Sequence, residues 1–275
     1  MEINNFCPCC GSNQVNTTPA VMMPFVAYRA FGFIPVNITT DWNLRTIKTG
    51  NTYQPCNTVI CKECSLQFCD IRFSEQELYN IYKGYRDDVY TEQREKYEPG
   101  YTDRNLVLNQ GINYIDKIER FLLPYIDAKT KILDWGGDTG INTPFRNKCS
   151  VFVYDVSGKQ VLPGVKFVDN STLNDNKYGL VICSNVLEHV SYPAKVLSEL
   201  RTCMQNDTVL YIEVPNEVEQ DTIRKSWHEH INYFTAHSLY MLLQNNGFEI
   251  IELTTTDVSV VNITSKIYMI ACKLN

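Results

Sequence analysis

Three acids and a run of glycines carry the first chemical signal in this chain. In the stretch Lys131 to Gly140, KILDWGGDTG, a short apolar strand runs through Asp134 and Trp135 into a turn holding Gly136, Gly137, Asp138 and Gly140. Such a turn brings bare backbone close to a ligand. Asp134, Gly136 and Gly140 satisfy the D-x-G-x-x-x-G frame by which an open α/β sheet holds a nucleotide-like cofactor over its first strand. A dinucleotide fingerprint starting at Gly136 needs glycines where the chain has Asp138 and Ile141. The strand Val151 to Tyr154 then delivers Asp155, 21 residues after Asp134 and placed to take both hydroxyls of a ribose.

Carboxylates at Asp134, Asp138 and Asp155 repel a pyrophosphate and suit a cofactor that carries an amino group and a sulfonium. That describes S-adenosylmethionine, whose acid-x-Gly-x-Gly-x-Gly frame is broken here only by Asp138. Methyl transfer from a sulfonium is a direct displacement, so the protein aligns donor and acceptor and excludes water. A hydroxyl or an acidic C–H as acceptor also needs a base. Histidine titrates near neutrality, and a neighbouring carboxylate can orient it. All four histidines, His189, His228, His230 and His237, lie in the second half of the chain.

Two further residue sets stand ahead of that half. Cys7 with Cys10, and Cys61 with Cys64, are C-x-x-C knuckles, and two such knuckles form the tetrahedral thiolate shell that Zn2+ accepts. Four closed ligands make the metal structural. Cys9, Cys56 and Cys69 are spare and leave the ligand list open. The fifty residues between the pairs must leave the ribbon and return to it. Within them, Val21 to Val36 is aromatic-rich and expected to pack the small domain. Gly84 to Tyr101 is charged and dense in tyrosine, and its Tyr85 and Tyr90 offer flat faces and hydroxyls suited to a polar organic acceptor.

The elements that position these residues follow from periodicity and punctuation. Ser74-x-x-Glu77 is a capping box opening a short helix. Leu108, Ile112, Ile115, Ile118 and Leu122 predict one amphipathic helix from Asp103 to Pro124. After Lys131 to Trp135, Thr143-Pro144 predicts a helix start and Val151 to Tyr154 a second strand. Val165 to Val168, Leu180 to Cys183 and Thr208 to Val214 predict three more, with Ser191 opening a helix after the fourth. Thr235 caps a last helix closed by Gly247, and Phe248 to Leu253 with Lys266 to Lys273 form an antiparallel closing hairpin. Alternation of this kind specifies an α/β, Rossmann-like doubly wound sheet of seven strands, the last antiparallel, preceded by a small zinc-binding domain. The expected divisions are 1–73 (zinc-binding, with a long insertion), 74–125 (helical and tyrosine-rich, lining the site) and 126–275 (cofactor-binding core).

With 275 residues, 44% of them hydrophobic, the chain suits a folded globule. A net charge of −6 and the lack of basic runs disfavour nucleic acid and anionic lipid as partners. No leader-like or membrane-spanning stretch is evident, so a cytoplasmic location is expected.

LDWGGDTG, VYDVS, VICSNVLEHV and the closing strand pair resemble the class I S-adenosylmethionine-dependent methyltransferases. The paired cysteines, the tyrosine-rich connection and the run from Trp227 to Phe234, WHEHINYF, are similar to bacterial sugar methyltransferases with an N-terminal zinc domain. That group includes C-methyltransferases of nucleotide-linked ketosugars and homologues from surface-polysaccharide gene clusters. The resemblance implies that Asp134, Trp135, Gly136, Gly137, Asp138 and Gly140 surround the methionine and ribose of the cofactor and that Asp155 and Val156 hold the ribose. It also puts Asp169 and Asn170 near the adenine, and Ser184 and Asn185 on the sulfonium side. Glu229 and His230 would then support proton abstraction, with His189 and a connection tyrosine, Tyr85 or Tyr90, beside the acceptor. The implied acceptor is a sugar nucleotide or another activated precursor of a capsule-type polysaccharide. O-methylation of a phosphate- or phosphoramidate-type group is the variant. A nucleic-acid methyltransferase, or a binding protein with a degenerate site, is the competing reading.

Overall fold

The computed structural model describes residues 1–218, 222–260 and 263–275. In chain order its main elements begin with β1 (Val15–Met22), α1 (Pro24–Phe31), β2 (Gln54–Cys61) and β3 (Gln67–Cys69). The connection holds α2 (Glu75–Tyr82), α3 (Asp88–Tyr97), α4 (Tyr101–Leu108) and α5 (Ile115–Leu122). Then come β4 (Lys131–Trp135), β5 (Ser150–Tyr154), β6 (Val165–Phe167), β7 (Leu180–Ser184), α6 (Pro193–Thr202) and β8 (Val209–Pro215). The chain closes with β9 (Ser226–Trp227), β10 (Asn232–Tyr233), α7 (Ala236–Asn245), β11 (Phe248–Val260) and β12 (Ile263–Leu274).

The large sheet has the order β6-β5-β4-β7-β8-β12-β11, with β12 antiparallel to both of its neighbours. This is the seven-stranded doubly wound arrangement that the alternating pattern predicts. Its central strands are buried on both faces, as Leu133 and Val181 on one face and Ile132 and Leu180 on the other illustrate, which is why they appear in the sequence as continuous apolar runs. Each such side chain contributes about 1.5–3 kcal/mol by leaving water.

A second sheet has the order β9-β1-β2-β3-β10. Three of its strands come from the cysteine-rich part, and two short ones come from the WHEHINYF run far downstream. β9 lies parallel to β1 and β10 antiparallel to β3. The first 73 residues and the last 150 are therefore joined through one sheet. The stretch from Val21 packs as expected, with Met22, Phe25, Val26, Ala27 and Ala30 all buried.

Local signals succeed where the backbone alone decides. Ser74 and Glu77 form the reciprocal capping box, and Thr235 caps α7. Four expectations need correction. The helix expected from Asp103 to Pro124 is two helices, because Gly111 turns left-handed (φ 91) and the Ile112 amide donates to the Asn142 side chain at 2.9 Å. Thr143-Pro144 starts no helix: the Thr143 hydroxyl is buried on Asp134, and Phe145 follows at φ 58. Ser191 does not cap α6, since its hydroxyl donates to the Phe73 carbonyl at 2.8 Å and the helix begins at Pro193. The closing hairpin is far longer than the apolar pattern suggests, with strands of 13 and 12 residues. Its outer half is rich in threonine and other polar residues (Thr254 to Asp257, Ser259, Thr264 and Ser265), which ladder hydrogen bonds tolerate and hydrophobicity does not reveal. Among the described residues no helix is long and apolar enough to cross a membrane.

Candidate active site

The order of the large sheet reverses between β4 and β7, where an open α/β sheet leaves its crevice. The turn after β4 and the loop after β7 meet there. A Cβ on Gly136 (φ 80) would stand 2.6 Å from Cγ2 of Val186, so only glycine fits. A Cβ on Gly137 would likewise stand 2.6 Å from Cγ of Asp134. Asp134 is 4% exposed, bonded to the Thr143 hydroxyl, and pushed up to about 7 by burial. It shapes the turn from beneath. Trp135 is also turned into the core, its ring 4.3 Å from that of Tyr154.

Asp138 resolves its own departure from the glycine frame. Its backbone takes the left-handed conformation (φ 51) that glycine would take, a region aspartate enters more readily than most residues. Its N–H donates to the Asp155 carboxylate at 2.8 Å, and its carboxylate meets Lys159 at 3.0 Å. The other oxygen of Asp155 accepts from the Ser157 N–H at 2.7 Å, so each oxygen keeps a lone pair for a ribose hydroxyl. Val156 beside it is 73% exposed and offers an apolar face to a flat base. Asp169 is engaged by Ser171 and Thr172 within its own turn, next to exposed Asn170. At the end of β7 the Asn185 side chain donates to Ser184 at 3.1 Å and to buried Glu213 at 2.8 Å. The glycine cradle and the Asp155 acceptors fit an adenosyl cofactor in this crevice.

His228, Glu229 and His230 form a turn held at both ends by the second sheet, with Trp227 opposite Met22 and Asn232 opposite Phe68. The amides of Ile231 and Asn232 donate to the Glu188 carbonyl at 2.8 and 3.1 Å, tying this turn to the loop after β7. His189 and His230 consequently stand 4.6 Å apart between ring centres, and His228 and His230 4.7 Å. Nδ1 of His189 lies 2.7 Å from the Tyr82 hydroxyl and 3.1 Å from the Glu229 carbonyl.

Electrostatics separates the three imidazoles. Burial drives His189 down to about 3 and His228 down to about 4, which keeps both neutral and weakly basic. Burial acts the same way on His230, but the carboxylates of Glu217, Glu188 and Glu229 outweigh it and raise its pKa. His230 is thus the strongest proton acceptor of the three. The Glu229 carboxylate, expected beside His230, is instead ion-paired with Arg94 at 2.9 Å, and among the described residues the carboxylate closest to His230 Nδ1 is Glu217 at 3.8 Å. Glu188 is 1% exposed, has no hydrogen-bond partner among the described residues on either carboxylate oxygen, and is raised to about 7 by burial.

Glu188, His189 and His230 bring ligand-type atoms within 4.8 Å of one another, as do Glu217, His228 and His230. Both ring nitrogens of His228 are already used, by the Tyr233 hydroxyl and the His230 amide. In the other set Glu188 and His189 Nε2 are 3.8 Å apart, a separation suited to exchanging protons through a third group. Tyr90 is 1% exposed and enclosed by Phe25, Tyr85 and Tyr101, so it reaches an acceptor only through Tyr85. Tyr82, Arg94, Glu188 and Glu217 were not singled out in the sequence. Glu188-His189 repeats the Glu229-His230 dipeptide and was legible; Glu217 had no local signal.

The four paired cysteines converge, with all sulfurs within 4.8 Å, Cys7 to Cys64 at 3.4 Å and Cys10 to Cys61 at 3.5 Å. Tetrahedral Zn2+ with sulfurs at about 2.3 Å sets them about 3.8 Å apart, so the shell fits. Each knuckle turns on a left-handed residue four positions after its first cysteine, Gly11 (φ 74) and Ser65 (φ 63). The shell also touches α7: the Thr235 hydroxyl donates to the Cys64 carbonyl at 3.2 Å.

Residues 109–253 match a family profile described as a methyltransferase domain. The chain is 24% identical over 226 residues to the C-methyltransferase NovU of Streptomyces niveus, an alignment that covers 76% of this chain and 50% of that protein. It therefore spans about half the length of that curated relative. Among solved structures it is similar to the 1,6-didemethyltoxoflavin-N1-methyltransferase of Burkholderia thailandensis, solved with bound 1,6-didemethyltoxoflavin and S-adenosylhomocysteine. The TM-score is 0.50 and the identity 15%, over 76% of this chain and 95% of that one. A methyltransferase from Methanosarcina mazei aligns at TM-score 0.44 and 14% identity, over 56% and 96% of the two chains. The first structural likeness shows the shared fold. The family match takes in more than half of the chain and contains the glycine turn, Asp155 and the histidine cluster; the chain belongs to the methyltransferase-domain family of S-adenosylmethionine-dependent enzymes.

Proposed function

We propose that this protein transfers a methyl group from S-adenosylmethionine to a small-molecule acceptor, a sugar nucleotide or another activated precursor of a surface polysaccharide. His230 acts as the base. The observation that carries the reading is the position of His230: it is the one imidazole of the cluster made more basic by its neighbours, and it stands beside the loop that closes on the glycine turn. Bound S-adenosylmethionine supplies the methyl carbon and departs as a thioether. Asp155 anchors the ribose, Gly136 and Gly137 let the backbone approach, and Val156 covers the adenine. His230 takes the acceptor's proton as its oxygen or carbon bonds to the methyl carbon, and Glu188 and Glu217 stabilise the imidazolium that forms. A carbon acceptor is favoured by the relative named as a C-methyltransferase.

Zn2+ on Cys7, Cys10, Cys61 and Cys64 is structural in this reading. It fixes β2 and β3, and β3 in turn holds the strand that follows His230. The divisions 1–73, 74–125 and 126–275 then serve as metal module, acceptor wall and cofactor core, with the second sheet coupling the first to the last. The test is calorimetry with S-adenosylmethionine, followed by a mass-spectrometric screen of nucleotide sugars and capsule intermediates with labelled cofactor. Binding and label transfer that fails in His230→Ala are expected. Absence of cofactor heat at millimolar concentration overturns the enzyme reading, and unchanged turnover in His230→Ala removes the base.

A further inference from the structure

Arg86 lies in the turn between α2 and α3, with its backbone in the left-handed region (φ 62) and its carbonyl accepting from the Asn105 side chain at 3.3 Å. A non-glycine residue persists there only when its surroundings hold it, and such residues gather at functional sites. The turn carries the Arg86 guanidinium to 4.7 Å from the centre of the Tyr85 ring. Lys159 stands 5.5 Å from the same ring, while its ammonium binds Asp138 of the glycine turn. Tyr85 in turn contacts Tyr82 edge-on at 5.6 Å, and the Tyr82 hydroxyl reaches His189. Tyr85 and its two cations therefore bridge the cofactor turn and the histidine cluster, which is where the acceptor belongs.

The cations of this region differ in one respect. Arg94 is paired with Glu229 and Glu98, Arg224 with Glu217, and Lys159 with Asp138. Arg86 makes no ion pair among the described residues, and its Nε is buried without a hydrogen-bond partner. A guanidinium presents a planar fork of donors that matches phosphate oxygens two at a time. A cation held in a strained turn, over a ring, with a donor left over, has the chemistry of an anion receptor.

We propose that Arg86, backed by Tyr85 and Lys159, is an anion subsite of the acceptor pocket and takes a phosphate or diphosphate group of the acceptor. This deepens the reading above and rests on it for the identity of the pocket. Two sources share that chemistry: the diphosphate of a nucleotide-linked sugar, and a single phosphate- or phosphoramidate-type group.

The experiment is isothermal titration of the full chain, saturated with S-adenosylhomocysteine, with inorganic pyrophosphate and separately with inorganic phosphate. It is repeated on Arg86→Gln and Arg86→Lys. Wild type is expected to bind at least one anion, with Arg86→Gln weakening it by about tenfold or more, the range of a charge-assisted hydrogen bond. Arg86→Lys should fall between, because an ammonium keeps the charge and loses the fork. The tighter anion names the source. No anion binding by wild type, or equal binding by wild type and Arg86→Gln, overturns the subsite. S-adenosylhomocysteine heat measured on the same samples separates this result from the cofactor reading, which fails only if that heat is absent, and reports that the variants are folded.

Discussion

The guanidinium of Arg94 meets the carboxylate of Glu229 at 2.9 Å, with 6% and 15% of the two side chains exposed. Burial opposes ionisation of Glu229, but Arg94 and the neighbouring His228 and His230 hold its pKa far below the usual carboxylate range. Glu229 is therefore a fixed charge that anchors α3 to the histidine turn. Removing one partner of a buried pair strands the other. Arg94→Met should cost about 3–5 kcal/mol in a urea unfolding titration at pH 7. A change below about 1 kcal/mol would class the pair with exposed ion pairs. Because the folded pKa of Glu229 is depressed, its contribution is complete above about pH 4.5 and is lost as pH falls toward the folded value.

The proton of His230 should be visible in kinetics. Glu217, Glu188 and Glu229 face it, along with the largely neutral His189 and His228, and its pKa is raised. kcat/KM should rise with pH to a plateau, on a limb lying above about 6.5, as the imidazole loses its proton. Glu188→Gln removes one facing charge and should move that limb down by about one unit. A limb that stays in place excludes Glu188 from the control of His230. The linked stability runs the other way: what the charged imidazole contributes is complete below about pH 6.5 and is lost as pH rises through the raised value.

The cysteine shell should hold about one zinc per chain by metal analysis. Cys61→Ser, or chelation under mild denaturation, should abolish methyl transfer although no cysteine of the shell is proposed to touch cofactor or acceptor. The route is structural, since Gln67 pairs with Ile60 on one side and with Tyr233 on the other. Full activity in a zinc-free sample would uncouple the metal module from the site.

Asp138 should behave as a glycine surrogate. Asp138→Gly is expected to keep S-adenosylmethionine affinity within about threefold, because the left-handed backbone suits glycine at least as well. Asp138→Val should weaken it about tenfold, matching the roughly 1–2 kcal/mol that a positive φ costs a β-branched residue, which lacks the local hydrogen bonding that eases aspartate into this region. Calorimetry on both variants decides, and equal affinities would show that the backbone conformation is not what the cofactor requires.

Much of the molecule is written locally. The strand that carries Asp134, the glycine turn, the acid at the tip of the next strand, the capping box at Ser74 and the paired cysteines each follow from backbone sterics and spacing within a few residues. These set the strand series and the cofactor edge. What the sequence left undecided depends on groups brought together from far apart. The helix divides at Gly111 because Asn142 offers the next amide, that of Ile112, a partner outside the helix, and Thr143 abandons a cap for a buried carboxylate. Glu229 is ion-paired with Arg94 while also facing His230, and the two other carboxylates that raise His230, Glu188 and Glu217, come from separate loops of the large sheet. Coulomb interactions and hydrogen bonds change over a few ångströms, and such distances between remote segments exist only once both sheets have formed.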